Sequence, residues 1–145
     1  RMLKLAGRLA DIVAVGLLEP GPEAWPALDQ KVAWVREGAG ERFADIELNL
    51  MTGGPLPIGL ERTAAVRQVI NERVGRGSLG PQPYASAGEL DNPTIWLGTP
   101  EQMAQTLLGI RQRYGISYFA YWPPSDRYRE FVEGLAPVVK LLAGK

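Results

Sequence analysis

Helix-like and strand-like segments alternate along this chain, and that alternation limits its fold more than any other feature. Strand-type runs stand at 11–16 (Asp11-Ile12-Val13-Ala14-Val15-Gly16), 45–51 (Asp45-Ile46-Glu47-Leu48-Asn49-Leu50-Met51) and 116–122 (Ile116-Ser117-Tyr118-Phe119-Ala120-Tyr121-Trp122). Segments with apolar residues three or four apart lie around them, at 1–10, 23–42, 61–74, 100–114 and through Phe131, Leu135, Val138 and Leu142. Strands separated by helices pair in parallel through right-handed crossovers. The class is therefore α/β. An open doubly wound sheet and a piece of a (β/α)8 barrel both fit this order. Three strands are few for an open sheet that must protect two edges. They suit the last three strands of a barrel, which as a whole runs to about 250 residues. At 145 residues the chain matches the C-terminal half of a TIM barrel, folded as one partial-barrel domain over 1–145. It opens directly on a helix, so the strand before that helix is expected outside these residues.

Local chemistry marks several boundaries. Thr99-Pro100-Glu101-Gln102 places Thr at a helix N-cap, Pro at the first helical position and Gln where a capping box needs it. Gly115 suits the other end of that helix. Gly38 and Gly40 weaken the end of the 23–42 helix. Pro123-Pro124 stops the third strand, and Ser125 or Asp126 is placed to cap the last helix, within which Pro137 predicts a kink. Residues 75–93 are rich in Gly, Pro and Ser and read as a long irregular, flexible insertion.

Composition narrows the chemistry. The chain has no Cys and no His. Thiolate nucleophiles, disulfides, Cys-ligated zinc and the usual general base near neutral pH are excluded, and no metal site is expected. Sixteen basic and sixteen acidic residues cancel, so no global field favours nucleic acid or an anionic membrane. No apolar run approaches the roughly 18 residues that span a bilayer. The expected location is the cytoplasm.

Two passages carry a resemblance. Arg1-Met2-Leu3-Lys4-Leu5-Ala6-Gly7-Arg8-Leu9-Ala10-Asp11-Ile12-Val13 resembles the segment after strand five of luciferase-like flavin- and coenzyme F420-dependent oxidoreductases. Gly98-Thr99-Pro100-Glu101-Gln102 and Tyr114-Gly115-Ile116-Ser117-Tyr118 resemble that family's final helix–strand passage, and Phe131…Leu135-Ala136-Pro137-Val138-Val139 its last helix. The resemblance aligns the chain with helix five to helix eight of the family's barrel. It implies hydride transfer between F420, or FMN, and an organic small-molecule substrate. The first five strands, which supply most cofactor contacts, fall outside the aligned region. The isolated chain is therefore expected to be inactive and to pair with a second copy or with the missing N-terminal half. The reading from a different class is a non-catalytic half-barrel that self-associates. A third is an unrelated small α/β binding domain.

Candidate cofactor-binding residues are Arg1, Met2, Asn49 and Gly53. The resemblance puts Arg1 and Met2 at the first turn of helix five, where free N–H groups and the helix dipole favour a phosphate; a solvated terminus is the plain reading. Glu47, Asn49 and Met51 share one face of the second strand, opposite Ile46, Leu48 and Leu50. In a barrel this polar set points inward, towards a ligand or towards each other or a buried Arg. Gly53-Gly54 is a loose phosphate cradle or a strand-end turn. Tyr118, Tyr121 and Trp122 are placed to wall a flat ring, but read first as packing, as do Trp25, Trp34 and Trp96. The basic cluster Arg73-Val74-Gly75-Arg76-Gly77 reads as a solvated loop. No catalytic residue stands out.

Overall fold

The computed structural model describes residues 1–16, 18–53, 57–72, 84–122 and 128–144. Their order is α1 (Met2–Leu9), β1 (Ile12–Ala14), α2 (Ala24–Ala39), β2 (Glu47–Gly53), α3 (Arg62–Asn71), α4 (Pro100–Tyr114), β3 (Ile116–Trp122) and α5 (Tyr128–Leu142). The strands form one sheet in the order β1-β2-β3, with both pairings parallel. The sequence predicted this α/β order and the parallel pairing of its strands.

Alternation along the strands decides which face is covered. Val13, Val15, Leu48, Leu50 and Ile116 are buried against Leu28, Val32 and Val35 of α2, Met103 and Leu107 of α4, and Val138 of α5. The residues between them, Ile12, Glu47, Met51 and Tyr118, remain exposed. Among the described residues the helices cover one face of the sheet only. A bulge opposite Leu48 and Asn49 keeps this alternation in phase. Leu48 pairs with Ile116 but Asn49 pairs with Tyr118, so Ser117 is the extra residue.

The helix ends follow local chemistry. Thr99 and Gln102 form a capping box on α4, with Pro100 in the first turn, and Gly115 ends the helix in the left-handed region at φ 75°. Glu61 caps α3 by accepting from the Thr63 N–H, and its carboxylate also accepts from Gln102. Those bonds, Gln102 first, hold the Glu61 carboxyl below its usual range. The expected 23–42 helix ends earlier. Gly40 takes φ 58°, and a 3-10 helix over Gly40–Asp45 follows. Asp45 thus lies outside β2, which instead extends to Gly53. The last helix passes through Pro137. Its proposed caps Ser125 and Asp126 lie outside the described residues.

Where the sequence predicts an irregular insertion over 75–93, the described part, residues 84–93, is anchored by the buried Tyr84, Leu90 and Asn92. Tyr84 and Leu90 join Ala65 and Val69 of α3, and Ile95 and Leu97, in a second small core. The buried Asn92 donates to the Glu19 carbonyl at 2.7 Å, and Trp25 donates to Asp91 at 2.9 Å. Residues 75–83, and the basic cluster beginning at Arg73, lie outside the described residues.

Arg42 ties α1 to the sheet. Its guanidinium donates to the Gly7 carbonyl at 2.7 Å, to the Ala10 carbonyl at 3.1 Å and to Asp11 at 2.9 Å. It thus satisfies carbonyls at the C-terminal end of α1, where a cation also complements the helix dipole. Arg42→Ala should cost about 2 kcal/mol, since bonds to a charged group outweigh neutral ones. Urea denaturation followed by circular dichroism measures this, and an unchanged midpoint would rule out the capping role.

Candidate functional site

The bare face of the sheet is where the fold brings polar and small residues together. Three rows cross it. Ile12 pairs with Glu47, and Ala14 pairs with Asn49, which pairs with Tyr118. Met51 then pairs with Ala120, with Gly16 beside it: a Cβ built on Gly16 would lie 3.7 Å from the Met51 amide. Gly53 and Trp122 close the sheet at the strand carboxyl ends. Ala14, Gly16, Ala120 and Gly53 keep these ends low. The result is a shallow surface floored by Met51 and rimmed by Tyr118. Ligands of parallel α/β folds bind beyond strand carboxyl ends, because the connecting loops and helix N-termini gather there.

Asn49 is the buried polar residue of this face, at 7% exposure. Its side-chain amide donates to the Tyr118 carbonyl at 3.2 Å, bridging β2 and β3. Glu47 is exposed, with Ser117 Oγ at 3.5 Å. Among the described residues no hydrogen bond or ion pair joins Glu47 to Asn49, or either of them to a buried Arg. Tyr118 is exposed, whereas Tyr121 packs into the core against Phe131, with ring centroids 5.3 Å apart.

The other candidates are placed apart from Asn49. Arg1 is the N-cap of α1, with no side-chain capping bond, and Met2 is 83% exposed. α1 leads down into the start of β1, so its N-terminus stands at the level of the strand carboxyl ends, but in the helical layer. Among the described residues no hydrogen bond or ion pair joins Arg1 to Asn49 or Gly53. The Gly54 half of the glycine pair lies outside the described residues. Of the tryptophans read as packing, Trp96 is in the core, edge-on to Phe119 at 5.6 Å, and Trp34 is on the surface.

Lys31 is a residue the sequence did not single out. It projects from α2 and donates to the Gly16 carbonyl at 2.7 Å, at the carboxyl end of β1. Burial pulls its pKa below the usual lysine value, and Glu19 partly restores it. A lysine on an amphipathic helix normally reads as solvated, so no sequence signal marked it. Among the described residues no group of three or more Asp or Glu is arranged to hold a metal, and no helix is long and apolar enough to cross a membrane.

The chain matches no family model, and no curated protein matches it.

Proposed function

We propose that the chain is the closing arc of a luciferase-like oxidoreductase barrel and that its bare sheet face is an inner wall of the cofactor and substrate pocket. The observation that carries this reading is the one-sided sheet: three parallel strands in sequential order, helices on one face, and a second face of small and polar residues at the strand carboxyl ends. An open doubly wound domain covers both faces, whereas a barrel turns its inner face to side chains from the rest of the ring.

The residues present fit a flat, phosphate-bearing cofactor such as F420 or FMN. Ala14, Gly16 and Ala120 leave room for a ring above Met51, and Asn49, fixed by Tyr118, holds the surface rigid beneath it. Arg1 and the free N–H groups of the first turn of α1 supply a positive end for phosphate. The bound cofactor would supply hydride transfer to or from an organic substrate. The chain's own work is to position the ring, to exclude water with Met51 and Tyr118, and to fix the end of β1 through Lys31.

Fluorescence titration with F420 and FMN tests this. The full gene product containing this chain should bind one of them with micromolar affinity. The isolated chain should bind neither, since Arg1 and one wall cannot offset the lost rotational and translational freedom of a ligand. Absence of binding by the full product would overturn the oxidoreductase reading. Micromolar binding by the isolated chain would show that strands β1–β3 suffice.

A second reading draws on the exposed Ile12, Met51 and Tyr118. An apolar sheet face with two open edges also suits a self-associating half-barrel without catalysis.

A further inference from the structure

Two apolar stripes lie at opposite ends of the helical layer, and they share one spacing. On α1 the stripe is Met2, Leu5 and Leu9, all exposed. Leu3, Ala6 and Ala10 pack on the core from the other side of α1, where Gly7 meets the α2 backbone. The exposed stripe therefore points away from α2, out of the end of the layer. On α5, Val132, Leu135 and Val139 repeat the same offsets of three and seven residues. The exposed Tyr128 and the half-buried Leu142 extend that line, while Phe131 and Val138 turn into the interior. Neither stripe carries a charge. Leu9 is 74% exposed and Val139 64%, where a helix facing water normally carries polar residues. The α5 stripe borders a groove of about 370 Å³ along β3, lined by Trp96, Phe119, Tyr121, Leu135, Val139 and Leu142. Beside it β3 has no strand partner on its outer edge among the described residues.

Each stripe has its complement on the chain itself. α1 leads into β1 and α5 follows β3, so both run against the parallel strands and lie in the same direction. Parallel helices with apolar residues at this spacing pack along a common seam. We propose that the groove beside α5 takes α1 of a second copy, with Met2, Leu5 and Leu9 against Val132, Leu135 and Val139. The contact is head to tail, and it brings the open edge of β1 beside the open edge of β3 of the other copy. A two-fold axis forms it twice and closes a dimer. From the exposure of these side chains the two contacts together cover on the order of 1,400 Å², within the range of stable interfaces. The docking is set by α1, β3 and α5, and it stands whether or not the sheet face holds a cofactor.

Sedimentation of two charge variants tests the pairing. Leu9→Glu and Val139→Lys change exposed positions, so circular dichroism should match that of the unsubstituted chain. Each alone should weaken dimerisation about 100-fold, because an unpaired charge is buried in both contacts. Mixing the two variants should restore it. The mixed dimer opposes the two new charges in one contact and keeps Leu9 on Val139 in the other. The chain has no cysteine, so cross-linking reads the geometry directly. A Leu9→Cys chain mixed with a Val139→Cys chain should form a disulfide-linked dimer under mild oxidation. Either chain alone should not, nor should Leu9→Cys mixed with Gln112→Cys on the exposed side of α4. A monomeric unsubstituted chain, a dimer that survives Leu9→Glu, no recovery on mixing, or cross-linking by one single-cysteine chain alone would overturn the proposal.

Discussion

Gly38→Ala should destabilise the protein by about 2 kcal/mol net: an overpacking cost of about 3 kcal/mol, the upper end for a clash with backbone, less a gain of about 1 kcal/mol in helix propensity. A Cβ on Gly38 would lie 2.0 Å from the Lys4 carbonyl oxygen and 2.7 Å from the Lys4 Cα. Gly7 makes the reciprocal approach from α1, where a Cβ would lie 2.3 Å from the Val35 oxygen. Both obstacles are backbone, so no rotamer change relieves them, and α1 must move off α2. Leu3, Ala6 and Ala10 would lose packing with it. Gly7→Ala should act alike, and the double variant should cost less than the sum, because both push the same helices apart. Gly109→Ala is the control: with open space around it, alanine should raise stability by up to about 1 kcal/mol. Urea midpoints compare all four. A Gly38→Ala midpoint equal to that of the unsubstituted protein would refute the close crossing.

The isolated chain should also self-associate. β1 and β3 each pair only with β2 among the described strands, so each leaves an edge of unpaired backbone groups. Ile12 is 54% exposed and Tyr118 45%, with Met51 between them on the same face. Such an apolar face beside open edges is a surface for pairing. Sedimentation velocity at micromolar concentration should show a species of twice the monomer mass. Ile12→Lys with Tyr118→Lys should return it to monomer by placing two charges on the face. A clean monomer for the unsubstituted chain would contradict this.

Features set by neighbours in sequence were legible before the structure. Thr99, Pro100, Gln102 and Gly115 bound α4 through contacts within one or two turns. The alternation of β2 separated Leu48 and Leu50 from Asn49 and Met51. What was not legible depends on approaches between distant segments. Gly38 reads as a weak helix end, yet its value lies in meeting Lys4, which only the crossing of α1 and α2 creates. Nothing in the sequence singled out Arg42 or Lys31, because their partners lie in other elements. The 84–93 segment reads as loop because its anchors, Asn92 on Glu19 and Asp91 on Trp25, are side-chain bonds across more than sixty residues. At the candidate site, the face that carries Asn49 followed from the alternation of its strand, but its burial and its partner, the Tyr118 carbonyl, depend on the pairing of β2 with β3 and the bulge at Ser117.

The most direct test of the barrel-arc account is a crystal structure of the full gene product containing this chain, grown with F420 or FMN. The account predicts further parallel strands on the free edges of β1 and β3, and the cofactor ring over the row formed by Gly16, Met51 and Ala120. An antiparallel neighbour on either edge, or a three-stranded sheet whose bare face meets solvent in the full product, would contradict it.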